Sequence, residues 1–407
     1  MNVLFLSPGF PDEMNWFTEG LAAVGARVFG VGEQPAATRK ERCRQSLTAY
    51  LQVRSIMDEA SVVAEVVAES RRSGVRFDRV ECLWEPLQIL CARLREAFGA
   101  PGLDVAGTIP FRDKEAMKQV LDRAGIRTPR HARCRGAAEI EAAAERIGYP
   151  LIIKPIAGAG SADTHRVADA AALPGAIAAT RHVGPVSVEE YIDGEEYTFD
   201  TICADGKPLY FNMSWYRPRP LIQRQVQWIS PQTLALRDVD APELRGGRQM
   251  GLDVLKALGV KSGFTHMEWF LTSQGEAVFG EIGCRPPGAR SVDIMNFACD
   301  VDLYRGWAEA VCHGTLSQPW QRRHNACIIF KRARGEGRIR AITGMERWMS
   351  KHGQHVAHVE LLPVGAHRRN WKQTLLSDGH VIVRHPDLGA CCAIADSFGT
   401  DVQLEAG

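Results

Sequence analysis

The chain has 407 residues, room for two to four domains at roughly 100–200 residues each. Hydrophobic residues make up 45% and charged residues 24%, and 49 Lys+Arg against 48 Asp+Glu leave a formal net charge of +1. That balance excludes disorder as the main state and excludes a nucleic-acid binder that works by bulk charge. The eleven cysteines, scattered from Cys43 to Cys392, form no C-x-x-C pair. They read as reduced, buried hydrophobes of a cytoplasmic protein, not as a disulfide framework or zinc finger. The N-terminal MNVLFLSPGFP has no basic n-region and its apolar run stops at Pro8, which predicts a first strand. No apolar stretch approaches the ~18 residues of a membrane span, so no membrane partner is expected.

In chain order, Val3–Leu6, Arg27–Val31 and Arg79–Trp84 read as short strands, with helices at Phe17–Val24 and Ser61–Ala68. Strands alternating with helices predict βαβ units and a parallel sheet, whose ligands lie beyond the carboxyl ends of the strands. Ser7–Phe10 and Glu85 would then face a cleft, or else sit in ordinary loops. Asp113 can cap a helix running to about Ala124. A second helix covers Ala137–Ile147, and Leu151–Lys154 is a buried strand leading into Ala157-Gly-Ala-Gly-Ser-Ala162. Val186–Ile202 is strand-like, with a break at Asp193-Gly194. Gly251–Leu258 and Asp302–Cys312 are helical, with a hairpin at Phe264–Ile282 between them. Beyond Gly314, short runs at Ala326–Phe330, His355–Leu362 and His380–Val383 predict a small β-rich terminal domain.

The hairpin carries the most specific signal. With Gln274-Gly275 as a two-residue turn, Glu268 and Glu281 stand directly opposite, their Cβ atoms ~4.5–5.5 Å apart. Opposed carboxylates are destabilising unless one is protonated or a cation lies between them. Thr265, Met267, Trp269 and Leu271, with Val278, Gly280 and Ile282, would form the inward apolar face, leaving the two glutamates and His266 in a cleft. Hard oxygens without Cys or His ligands suit Mg²⁺; a solvated pair on an exposed sheet is the alternative. Arg285 follows at once, stiffened by Pro286-Pro287, and could hold a carboxylate or phosphate, or simply pair with one of the glutamates.

Neither G-x-x-x-x-G-K-[ST] nor a complete G-x-G-x-x-G is present. Instead Lys154 adjoins a Gly/Ser loop whose backbone N–H groups can cradle phosphate, and Lys114 lies upstream. Val186–Glu196 could offer an extended backbone edge to adenine, or be a surface strand.

In this order, the α/β segment, Asp113-Lys114, Tyr149-Pro-Leu-Ile-Ile-Lys154, Val188-Glu-Glu-Tyr-Ile192, Glu268 and Glu281-Ile-Gly-Cys-Arg285 resemble the ATP-grasp superfamily. The likeness is to its carboxylate–amine ligase and biotin-carboxylase-like branch. It implies a mixed α/β and α+β fold: a Rossmann-like pre-domain (1–108), an ATP-grasp domain (109–314, lid about 125–187) and a small β-rich C-terminal domain (315–407). It implies that Lys114 and Lys154 bind ATP phosphates beneath a lid with Gly158, Gly160 and Ser161. Glu189, Glu190, Tyr191 and Ile192 would hold adenine and Glu196 the ribose. Glu268 and Glu281 would bind Mg²⁺ (or Mn²⁺), and Arg285 would stabilise an acyl-phosphate and its tetrahedral successor. The family's usual Asn two positions beyond the second metal glutamate is here Gly283. The implied reaction is ADP-forming ligation of a small-molecule carboxylate and an amine, with His266 as base or as an orienting group, and a homodimer would be ordinary for the family. Arg217 and Arg219, in a cationic aromatic loop that is either a substrate cover or merely solvated, join Glu85 and Gly288 as substrate-binding candidates. The competing readings are a bicarbonate-using carboxylase and a nucleotide-binding protein whose catalysis has lapsed.

Overall fold

A computed structural model of the chain describes residues 1–157 and 163–407. Four strands, β1 (Asn2–Leu6), β2 (Arg27–Gly32), β3 (Leu47–Gln52) and β4 (Arg79–Glu81), form a parallel sheet in the order β3-β2-β1-β4. Parallel neighbours need crossover connections, and the helices Met14–Ala23 and Glu59–Ser73 provide two of them. The sequence pattern missed β3 because Leu47–Gln52 is only half-buried and lacks strict alternation. It also ran β4 too far: the strand stops at Glu81, and Glu85 opens a short 3₁₀ turn.

A second, antiparallel sheet contains β5 (His131–Cys134), β6 (Leu151–Pro155), β7 (His165–Val167) and β8 (Val186–Glu190) in the order β5-β8-β6-β7. It packs on the helix Ala137–Ile147 through Ile140, Ala144, Ile147, Ile153 and Val188. At the predicted break the chain crosses into a third sheet. There β9 (Gly194–Ala204), β10 (Lys207–Asn212), β11 (Ser214–Arg217), β12 (Gln232–Ala235), β13 (Gly263–Thr272) and β14 (Ala277–Gly283) come together.

The remaining strands are β15 (Asn325–Phe330), β16 (Ile339–Thr343), β17 (Val356–Leu361), β18 (Gly379–His385) and β19 (Gln403–Ala406). The third sheet runs β14-β13-β9-β11-β12-β15-β18-β17, with β10 beside β9, while β16 pairs with β19. The three terminal runs read from sequence are thus β15, β17 and β18, and they extend this sheet. The helices Met345–His352 and Leu388–Asp401 lie among them. Leu388–Asp401 was not legible because Gly, Cys, Asp and Thr are weak helix formers. Packing holds it instead, through Cys391, Ile394, Ala395 and Phe398.

The β13–β14 hairpin deserves its register in full. Glu268 does stand opposite Glu281. The turn, however, spans three residues: Thr272 accepts from Gly275 N–H and donates to the Glu276 carbonyl, with Gly275 at φ +80°. That extra residue would slide the register by one. A bulge at Gly280 slides it back, between the pairs Trp269–Phe279 and Glu268–Glu281. Two departures from the simple hairpin therefore cancel from the glutamates onward, through Met267–Ile282 and His266–Gly283, but not between the bulge and the turn. Between the bulge and the turn the predicted face of β14 is reversed: Phe279 joins Met267, Trp269 and Ile282 in one core cluster, while Val278, also fully buried, lies on the opposite face. A Cβ on Gly280 would lie 2.7 Å from the Glu268 carbonyl oxygen. Gly280→Ala is expected to lower unfolding stability by about 1–3 kcal/mol, as overpacking usually does, readable in a urea titration. An unchanged midpoint would show that the bulge can form elsewhere.

Candidate active site

Lys114 begins the helix Lys114–Arg123, whose N-cap is Asp113 as predicted: its carboxylate accepts from the N–H groups of Glu115 and Ala116. Lys154 lies on β6 of the second sheet, and Glu268 and Glu281 lie on the third. The two sheets meet over a cleft that Lys114, Lys154, Glu190, Tyr191, Ile192, Glu196, Glu268 and Glu281 all line. Every described residue predicted to bind nucleotide or metal reaches this one space. Gly158, Gly160 and Ser161 lie outside the described residues.

Charges in the cleft are interlocked. Lys114 Nζ lies 3.3 Å from Glu281, and Lys154 Nζ 2.9 Å from Glu189. Burial opposes ionisation of Glu281, but Lys114, Lys154 and Arg285 hold its carboxyl below the usual range. Glu196 goes the other way, pushed up by burial and by the neighbouring Glu268. Glu189 also lines the cleft. It is buried between Lys118 (2.7 Å) and Lys154 and accepts from Ser187. Glu190 likewise spends its carboxylate on Arg127 and Arg130, and the backbone N–H groups of Glu190 and Tyr191 donate to the carbonyls of Arg130 and Pro150.

Lys118 escaped the sequence reading, although its spacing of four from Lys114 puts both on one helix face. On β9, Glu196, Thr198 and Asp200 alternate onto the face shared by His266 and Glu268. His266 is held on both sides, with Nδ1 2.6 Å from Asp200 and Nε2 3.5 Å from Glu268. Burial works against its charge, yet the bond to Asp200 and the two carboxylates raise it to about 9. Both ring nitrogens of His266 therefore face carboxylates. Tyr216 on β11 donates to Glu268 (3.2 Å).

Beyond the glutamates opens a larger chamber of about 680 Å³, walled by Phe10, Trp84, Pro286, Phe330, Trp371 and Leu375. Glu85, Arg285 and Gly288 line it. Arg285 does not pair with the metal-type glutamates: its Nε donates to Glu85 (2.7 Å), and Glu85 also binds Arg112. The two loop arginines separate. Tyr216 faces the site, so Arg217, next on the same strand, points away and binds Gln232 and Asp396. Arg219 lines the nucleotide cleft rather than the chamber, donating to Tyr191 Oη and the Ile192 carbonyl, both at 3.1 Å.

The family model of the ATP-grasp domain matches residues 111–218. Over its whole length the chain superposes on the crystal structure of an L-amino acid ligase from Bacillus licheniformis, with TM-score 0.79, 19% identity and 98% of that chain covered. Residues 111–218 are thus similar to an ATP-grasp domain, and the whole chain shares the fold of that ligase. A second ATP-grasp likeness is N5-carboxyaminoimidazole ribonucleotide synthetase from Thermotoga maritima (TM-score 0.70, 16% identity, 100% of this chain and 99% of that one). Among curated sequences, D-alanine–D-alanine ligase of Xanthomonas axonopodis pv. citri is 34% identical over 182 residues, 41% of this chain. That match spans only 54% of the relative's length. The L-arginine-specific L-amino acid ligase of Bacillus subtilis is 24% identical over 311 residues, covering 75% of this chain and 74% of the relative. Among the described residues, no helix is long and apolar enough to cross a membrane.

Proposed function

We propose that the protein is an ATP-dependent, ADP-forming carboxylate–amine ligase that joins amino acids through an acyl-phosphate. The observation that carries this reading is the meeting of two spaces, the nucleotide cleft and the chamber, at Glu268 and Glu281, which line both. A γ-phosphate bound along Lys114 and Lys154 would end at that junction. A carboxylate in the chamber would reach it from the other side.

The donor set fits Mg²⁺. Glu196, Glu268 and Glu281 gather hard oxygens in one cleft, and the upward push on Glu196 marks anionic charge that a dication would relieve. Glu268 and Glu281 would hold the ion, which when bound neutralises phosphate charge. This chain's residues supply the rest. Lys114 and Lys154 neutralise the phosphates as the substrate carboxylate oxygen bonds to the γ-phosphorus and the bond to the ADP oxygen breaks. An amine then attacks the acyl carbon, phosphate leaves, and the amine nitrogen gives up a proton. Arg285, fixed by Glu85 at the chamber wall, is placed to hold the oxyanion formed in that attack. The chamber, large and apolar-walled, favours a substrate with a side chain over bicarbonate.

The deciding measurement is ADP release from Mg·ATP with pooled amino acids, with and without bicarbonate. Release that requires amino acids and ignores bicarbonate is expected. Release that tracks bicarbonate instead would replace this reading with a carboxylase, and silence in both arms would speak for a nucleotide-binding protein without turnover.

A further inference from the structure

Far along the third sheet from the ATP cleft, the edge strand β17 pairs with β18 so that Glu360 stands opposite His380 and His358 opposite Ile382. His358 and Glu360, two apart, share the face on which His380 lies. One ligand-type atom from each of the three lies within 4.8 Å of the other two. The imidazoles of His358 and His380 approach with centroids 5.5 Å apart.

His380 is completely buried, yet neither of its ring nitrogens has a hydrogen-bond partner among the described residues. Nε2 of His358 is likewise buried without one, 3.7 Å from the Glu360 carboxylate. Three unsatisfied nitrogen atoms at one spot are costly unless something occupies the gap between them.

We propose that His358, Glu360 and His380 form a binding site for a borderline transition-metal dication of the zinc type. Two imidazoles and one carboxylate are a set that zinc accepts, with a fourth position left to water. The Glu268–Glu281 pair, all oxygen, is a different donor set and selects a different metal. Asp293, which interacts with both His358 and Glu360, pairs with Arg290 at 2.8 Å.

The location gives the site a consequence. Glu360 and His380 close the neck of the segment 362–378, and that segment supplies Trp371, Thr374, Leu375 and Leu376 to the chamber. A metal there would pin the edge strand and the chamber wall to β18. This inference does not depend on the ligase reading, because it concerns residues outside the ATP cleft.

The test is zinc retention by the full-length protein after chelator treatment, with millimolar Mg²⁺ present to occupy the glutamate pair. Wild type is expected to take up about one equivalent and, with Co²⁺ instead, to show the intense visible bands of a tetrahedral site. His358→Gln and Glu360→Gln, at partly exposed positions that should fold normally, are expected to weaken zinc binding at least ~10–100-fold. Wild type that keeps no zinc overturns the proposal, and so does zinc held equally well by both variants.

Discussion

Replacing Glu281 with Gln is expected to reduce ADP release by about 10²–10³-fold, the scale seen when one preorganised electrostatic partner is removed. The substitution keeps shape and hydrogen-bonding capacity and removes only charge. Charge is what the position supplies. Lys114, Lys154 and Arg285 hold the Glu281 carboxyl below the usual range against its burial, so it is ionised throughout the neutral region. In the Gln variant Lys114 loses an anionic neighbour at 3.3 Å, and the cleft loses one of its two opposed carboxylates. The Mg²⁺ concentration for half-maximal rate should rise, while thermal unfolding stays close to wild type because no core contact changes. Turnover near the wild-type level at ordinary Mg²⁺ would remove Glu281 from the site and leave the ligase reading without its metal ligand.

How this residue was legible at all is instructive. Order along the chain was the robust signal: a capped helix with Lys114, a buried strand ending in Lys154, then an acidic hairpin. Each element is set locally, by a cap, an apolar run or a turn, and so survives without knowledge of tertiary contacts. Register was different. The simple two-residue turn put Glu281 opposite Glu268 only because the longer turn and the Gly280 bulge offset one another, and Val278 and Phe279 show the same reasoning failing two residues away. The direction of a side chain at a strand end was harder still. Arg217 and Arg219 look equivalent in sequence, yet strand alternation turns Arg217 toward Asp396, while Arg219, past the strand, folds over the nucleotide cleft. Lys118 and Asp200 were invisible for another reason. Neither belongs to a recognisable signature, and their importance comes from long-range partners, Glu189 and His266, that only the folded chain brings near.

Lys118 is where the largest loss of stability is expected. Its ammonium is fully buried and sits 2.7 Å from Glu189, which also binds Lys154 on its other side. Replacing Lys118 with Met fills the volume but leaves a buried carboxylate with one ammonium where it had two. Breaking a buried pair from one side costs about 3–5 kcal/mol, and a denaturant titration at neutral pH should read a loss of that size. The pH dependence follows from Glu189. Burial opposes its charge, but the two lysines hold its carboxyl well below the ordinary value. A carboxyl lowered in the folded state contributes stability that is complete above the unfolded value of about 4.3 and fades as pH falls below it. The gap between wild type and Lys118→Met should therefore be widest near neutrality and narrow in acid. Because Glu189 also positions Lys154, the variant should bind ATP less tightly even where it remains folded. A loss below about 1 kcal/mol, the range of exposed ion pairs, would mean that water reaches Glu189. The carboxylate would then no longer fix Lys154 against the phosphates, and the lysine's placement would have to come from the strand alone.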